Sequence, residues 1–194
     1  MEQDRALEVI DTSLNGVKIL KPRQFKDDRG YFSETWNYQS LTKLEIDINF
    51  VQDNHSYSQH KGTVRGLHCQ VPPHAQDKLI RVVVGRIWDV AVDIRNGSKT
   101  FGEWTGVELS AENGCQFLIP KGFLHGFATL EDDTEVIYKC SDYYCPESER
   151  EVRFDDPQIR IDWKIDISDA ILSPKDSSAT FLKNLDSPFS VDDG

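Results

Sequence analysis

The chain has 194 residues, enough for one domain to bury a sizeable core without disulfide or metal staples. Its 22 Lys and Arg against 33 Asp and Glu give a formal net charge of −11, which argues against a partner gripped through a phosphate backbone. A small anionic ligand held by a few local cations stays compatible with that balance. The opening "MEQDRALEVIDTSLNG" is acidic and has no apolar stretch of signal-peptide length, and no later run approaches the roughly 20 apolar residues of a membrane span. A soluble, cytoplasmic protein is expected, with loose ends at residues 1–14 and 186–194 around a single domain. Cys69, Cys115, Cys140 and Cys145 form no CxxC pair and no zinc framework, so free thiols are expected.

In chain order, Gly and Pro punctuate residues 16 to 165 about every ten positions, and the runs between them are short and rich in Val, Ile, Phe, Trp and Tyr. This is the pattern of an all-β sandwich or barrel. Strands are predicted in "GVKIL", "GYFSETWN", "FVQDNHSYS", "GTVRGLHC" and "KLIRVVVG", the last nearly continuous in apolar residues as a strand covered on both faces would be. Gly85 then suggests a tight connection or bulge. In "RIWDVAVDIR", Trp88, Val90, Val92 and Ile94 make an apolar face, while Asp89 and Asp93 stand on the opposite one. "GEWTGVELS", "CQFLIP", "HGFATL", "EVIYKCS" and "IRIDW" complete the strand set. Helix is confined to one or two turns within Ser40 to Ile46 and to short turns in "DAILSPKDSSATFLKNL" packed on the barrel.

Two spaced motifs sharpen this to a double-stranded β-helix, the cupin-like jelly roll. Gly114, Pro120, Gly122 and His125 have the spacing of the second cupin motif. In the first motif Gly62 and His68 are correctly separated, but Gln70 replaces the second His and Lys78 takes the place of the Glu. A protonated Lys offers a metal no lone pair and Gln is a weak neutral ligand, so no metal is expected. What remains is a barrel mouth with two imidazoles, Lys78 and Arg65. Imidazole exchanges a proton near neutral pH, Lys stabilises an oxyanion and Arg grips phosphate. Together they suggest proton abstraction beside a carbonyl in an anionic substrate, although each residue taken singly reads equally well as a structural hydrogen-bonder. Cys69, next to His68, points to the other face of its strand and is not read as a nucleophile.

The stretches "DDRGYFSETWN", "FVQDNHSYS", "GTVRGLHCQ", "AQDKLIRVVVGRIWDVAVDIRNGSKTFGEW", "LSAENGCQFLIPKGFLHGFATL" and "YKCSDYYCPESE" resemble the dTDP-4-dehydrorhamnose 3,5-epimerases, from about residue 16 to about 180. The resemblance implies an isomerase that needs no cofactor and inverts C3 and C5 of a dTDP-4-keto-6-deoxy sugar. It implies His68 as the general base, Asp176 in "LSPKD" as its carboxylate partner, Tyr138 in "VIYK" as the acid on the opposite face and Lys78 as the group beside the enolate oxygen. It further implies that Gln52, Asp53, Asn54, Arg65, His125 and Lys175 line the substrate cleft, with Glu149 another contact. Arg29 and Glu34 would reach the nucleotide across the interface of a homodimer. The sequence departs from the family at Cys69, usually aromatic, and at "WKID"; His74 in "VPPHAQ" reads as a surface residue. Relatives that invert only C3 or only C5, a non-catalytic carbohydrate-binding jelly roll and a metal-dependent cupin are the alternatives.

Overall fold

The structure, a computed structural model, describes residues 7–191 and is built from two facing antiparallel sheets. One sheet has six strands in the order β1 (Leu7–Asp11), β2 (Lys18–Pro22), β10 (Gln116–Ile119), β7 (Lys78–Val84), β12 (Thr134–Cys140) and β5 (Gln52–Ser58). The other has five, in the order β13 (Glu149–Glu151), β6 (Val64–Gln70), β11 (Phe123–Thr129), β8 (Arg86–Asp93) and β9 (Trp104–Ser110). From β5 to β8 successive strands alternate between the sheets, as in the expected double-stranded β-helix. Gly85, at φ +77°, makes the β7–β8 crossing, and a Cβ there would lie 2.5 Å from Thr134 Oγ1.

Three apolar layers follow from the alternation of side chains along these strands. Ile80, Val82, Ile87, Ala91, Leu109, Phe117, Phe123, Phe127 and Val136 fill the space between the sheets. On the outer face of the five-stranded sheet, Val64, Leu67, Cys69, Val90, Val92 and Leu124 are covered by Val152, Phe154, Ile159, Ile161 and Trp163. The outer face of the six-stranded sheet is covered through Leu41, Ile46, Trp36 and Phe50. There the short helix α1 (Tyr38–Thr42) begins at Asn37, whose side chain accepts from the Ser40 amide at 3.2 Å.

Several expectations change. "IRIDW" is no strand: Ile159, Ile161 and Trp163 are buried, but the alternation records one-sided packing on the five-stranded sheet, with Arg160 at φ +52°. Only Gly30–Phe32 of "GYFSETWN" pairs, as β4 against β3 (Phe25–Asp27) in an exposed hairpin. The expected loose ends are tied down within the described residues. Leu7–Asp11 pairs with β2, and Phe189 is buried beside an Asn96–Ser190 bridge. The carboxylate face of β8 looks inward, with Asp89 and Asp93 both fully buried. Burial alone would raise the Asp93 carboxyl, but Arg95, Ser98 and Thr100 donate to it at 2.6–3.0 Å and hold it at about 2.

One irregularity sets the geometry of the cavity. His125 of β11 pairs with His68 of β6, and Phe127 pairs with Arg65, so β6 carries one extra residue against its partner. The bulge falls where Gly66 and Gly126 let the strands close together. A Cβ on Gly66 would sit 2.6 Å from Gly126 Cα and 2.7 Å from the His125 carbonyl oxygen, at φ +122°. Gly66→Ala is therefore expected to cost about 2 kcal/mol or more, read as a lower urea midpoint; an unchanged midpoint would show that the strands tolerate separation.

Candidate active site

Between the sheets, two adjoining cavities of about 300 and 250 Å³ share His68, Lys78 and Tyr138 as walls. His68 comes from the five-stranded sheet, Lys78 and Tyr138 from the six-stranded one, so the groups face one another across the barrel. The bulge explains why "RGLH" works. In a regular strand residues three apart point to opposite faces, but the extra residue turns both Arg65 and His68 inward. Leu67 and Cys69 then point out into the apolar layer, where burial pushes the Cys69 thiol up to about 12, a protonated and inert form.

His68 Nε2 lies 2.6 Å from Asp176 Oδ1. Asp176 sits in α2 (Pro174–Ser177), a single turn started by Ser173 and Pro174. The Ser173 hydroxyl accepts from the Asp176 amide at 3.1 Å and donates to Asp176 Oδ2 at 2.6 Å, while the Gly66 amide reaches Oδ1 at 3.4 Å. Burial acts to raise the Asp176 carboxyl, yet the bonds from His68 and Ser173 outweigh it and hold the group below its ordinary value. A carboxylate accepts only, so the shared hydrogen belongs to Nε2 and leaves Nδ1 of a neutral His68 as the basic nitrogen. Nδ1 has no hydrogen-bond partner among the described residues and is not one of their sealed, unpartnered atoms, so it opens into the cavity.

Tyr138 is pushed above the ordinary phenol value, chiefly by burial and then by Cys140, and so keeps its proton. Arg65 crosses to β5, donating to Ser58 Oγ at 3.2 Å and the Tyr57 carbonyl at 3.0 Å. His125 is 7% exposed and pairs through Nε2 with Asp89 Oδ1 at 2.6 Å. Gln70, in the position of the missing motif His, is fully engaged: it donates to the His74 and Tyr143 carbonyls and accepts from the Cys145 amide. Among the described residues no group of three or more His, Cys, Asp or Glu is arranged to hold a metal ion.

Of the other predicted contacts, Gln52, Asn54 and Glu149 line the larger cavity. Lys175 lines neither cavity itself; it pairs with Glu149 of the larger cavity's wall at 2.6 Å and with Glu151 at 2.9 Å. Asp53 does not join them: strand alternation turns its side chain outward to Lys139 Nζ at 3.2 Å. Arg29 and Glu34 stay clear of the cavities within this chain, Arg29 paired with Asp27 at 2.6 Å and Glu34 accepting from Asn37 and Ser40. His74 is partly exposed beside Asp142, in keeping with its reading as a surface residue. Sequence reasoning missed Asp89 and Ser173, and also Tyr144, which lines the larger cavity and donates to Glu149 at 2.9 Å. The alternation of β8 already placed Asp89 opposite Trp88; what was missing was that this face looks inward.

A base backed by a carboxylate, a protonated phenol facing it from the other sheet and a cation beside both can remove a proton from one face of a carbon acid and return one to the other. A pH test follows from His125. Burial, outweighing the pull of Asp89, holds it below its ordinary 6.5. The unfolded chain then takes up the proton at a higher pH than the folded one, so this contribution to stability is complete above about 6.5 and is lost as pH falls toward the lowered value. Urea midpoints should fall between pH 7 and 5 with a His125 component of at most about 1.4 kcal/mol per pH unit. In His125→Gln that component should vanish; equal slopes in both proteins would contradict the assignment.

The family model for dTDP-4-dehydrorhamnose 3,5-epimerase matches residues 11–184. The curated dTDP-4-dehydrorhamnose 3,5-epimerase of Neisseria gonorrhoeae is 51% identical over 170 residues, covering 88% of this chain and 51% of its own. The chain thus spans about half the length of that relative. The one from Sinorhizobium fredii is 48% identical over 173 residues, covering 89% and 88%. Among solved structures, dTDP-6-deoxy-D-glucose-3,5-epimerase of Legionella pneumophila, in complex with dTDP-4-keto-L-rhamnose, superposes with a TM-score of 0.88 at 48% identity, covering 93% of this chain and 95% of that one. A 3′-monoepimerase of Streptomyces bikiniensis in complex with dTDP-quinovose matches at 34% identity and a TM-score of 0.81, covering 89% and 86%. With a family model spanning most of its length and relatives near half identity, the chain belongs to the dTDP-4-dehydrorhamnose 3,5-epimerase family.

Proposed function

We propose that the protein converts dTDP-4-dehydro-6-deoxy-D-glucose to dTDP-4-dehydro-L-rhamnose, a 3,5-epimerisation in dTDP-L-rhamnose synthesis. The observation that carries this reading is the placement of His68 on one sheet, backed by Asp176 of α2, and of Tyr138 with Lys78 on the other sheet, around one cavity. His68 Nδ1 takes the proton from the carbon beside the C4 keto group, and the electron pair moves into the carbonyl to give an enolate. Lys78 stabilises that oxygen. Tyr138 returns a proton from the opposite face, the phenolate is reprotonated by solvent and the His68 imidazolium gives its proton up to solvent, so configuration inverts and the same pair is restored to act at C3 and at C5. Asp176 keeps the hydrogen of His68 on Nε2 and supports the imidazolium as it forms.

Arg65 and Lys175 supply the local cations a diphosphate needs. Gln52, Asn54, Glu149 and Tyr144 line the larger cavity, where we place the nucleoside end of the substrate. Arg29 and Glu34 complete the cleft of a second copy in a homodimer, a reading supported by the exposed apolar hairpin that carries Phe25, Tyr31 and Phe32. Four unpaired thiols support a reducing, cytoplasmic setting, and among the described residues no helix is long and apolar enough to cross a membrane.

Identities of 48–51% to the 3,5-epimerases of Neisseria gonorrhoeae, Sinorhizobium fredii and Legionella pneumophila, against 34% to the 3′-monoepimerase, favour double inversion. In heavy water the protein should place deuterium at both C3 and C5 of the product; deuterium at one carbon alone would assign it as a mono-epimerase. His68→Ala should lower the rate by about 10² to 10⁴. On the alkaline side the rate should fall only above the ordinary tyrosine value of 10, because burial raises Tyr138. A decline well below pH 10 would contradict Tyr138 as the acid.

A further inference from the structure

Asp89 has no place in the proton-transfer scheme, yet it is a fully buried carboxylate that lies behind His125, a residue of the smaller cavity's wall. Its Oδ1 meets His125 Nε2 at 2.6 Å, and its Oδ2 has no hydrogen-bond partner among the described residues. His125 lies in register with His68 on the neighbouring strand, so two imidazole–carboxylate pairs stand side by side on one wall. Burying a carboxylate with one oxygen unpaired is costly, and nothing in the packing requires it: on the same strand, Asp93 has all its bonding capacity used by Arg95, Ser98 and Thr100. Asp89 is kept for what it does to His125.

A carboxylate accepts and never donates, so the hydrogen in the 2.6 Å contact lies on His125 Nε2. Burial favours the neutral ring, with Lys78 and the His68 ring disfavouring a charge on it and Asp89 as the anionic group that favours one. In that form Nδ1 carries a lone pair. Nδ1 has no partner among the described residues and is not one of their sealed orphan atoms, so it borders the cavity that His125 lines.

We propose that Asp89 is a positioning residue that locks His125 with its proton on Nε2, so that Nδ1 enters the cavity as an acceptor and recognises a hydroxyl group of the sugar. The inference rests on the epimerase reading for the identity of the ligand, and it divides the polar wall by chemistry. Lys78 offers only donors and suits the keto oxygen as it becomes an enolate, whereas His125 offers an acceptor and suits a neighbouring hydroxyl. An imidazolium at His125 would compete with Lys78 for the same oxygen and repel it. The lock keeps the two subsites distinct.

The tautomer is observable directly by nitrogen NMR of ¹⁵N-histidine-labelled protein between pH 6 and 8. His125 should show a protonated Nε2 and a bare Nδ1 in the ligand-free wild type. On addition of dTDP-4-keto-6-deoxyglucose, the Nδ1 resonance should move in the sense of accepting a hydrogen bond while Nε2 keeps its proton. Asp89→Asn, nearly isosteric, should mix or reverse the tautomer and lower kcat/KM about 10- to 100-fold, the range known for loss of a carboxylate that orients a metal-bound imidazole. The pH profile set by His68 should stay in place, since Asp176 is untouched.

A wild-type His125 protonated on Nδ1, with or without ligand, would overturn the proposal. So would an Asp89→Asn protein with an unchanged tautomer or unchanged kinetics. The wild-type spectrum needs no variant to fold. Because it is read without ligand, the tautomer result is independent of turnover, and a wild-type protein inert toward the dTDP-keto sugar would sink the epimerase reading alone.

Discussion

The site depends on one extra residue in β6. Opposite the two steps of β11 from His125 to Phe127, β6 takes three, from His68 to Arg65, and the parity of its side chains reverses at Gly66. Without that reversal either Arg65 or His68 would face the outer apolar layer. With it, a strand buried on its outer face through Val64, Leu67 and Cys69 still delivers a cation and a base to the same cavity. The constraint explains why Gly66 and Gly126 meet where they do, since a side chain on Gly66 would separate the strands at the point where His68 and His125 must lie in register.

From that wall the chemistry is completed by distant segments, each held by local physics. Asp176 reaches His68 across 108 residues of sequence because a one-turn helix, started by Ser173 and Pro174, lies against β6. Lys175, next to it, ties the same turn to Glu149 and Glu151 on β13, which in turn pairs with β6 at Gln70 and His68. His68, Asp176 and the strand between them thus form a closed circuit of hydrogen bonds and ion pairs. Facing it, Tyr138 and Lys78 stand on the six-stranded sheet, so the separation of acid and base is set by the thickness of the sandwich and not by a loop.

Much of this was legible in the sequence. Runs of β-branched and aromatic residues between Gly and Pro gave the strands of both sheets, and the replacement of two cupin ligands by Gln70 and Lys78 pointed away from a metal ligand set and toward a base and a cation. What stayed hidden has a common cause: a pattern of period two says which residues share a face, but not which face looks inward. Asp89 and Asp93 read only as a carboxylate face of β8, and that face is buried; Asp53 was grouped with Gln52 and Asn54, although alternation alone separates them. In "IRIDW" the alternation came from packing on a sheet, with no ladder at all. The bulge in β6 and the Asp176 contact are tertiary facts, one arising from a pairing register and the other from a chain reversal over a hundred residues.

The central claim is that His68 removes the proton on one face and Tyr138 returns it on the other. Replacing Tyr138 by Phe in heavy water separates the two steps. With the base intact and the acid gone, the substrate should still take up deuterium at its acidic carbon while keeping its configuration, and epimerised product should all but disappear. Inversion at the wild-type rate, or loss of exchange together with inversion while His68 and Asp176 stay in place, would contradict the division of labour between the two sheets.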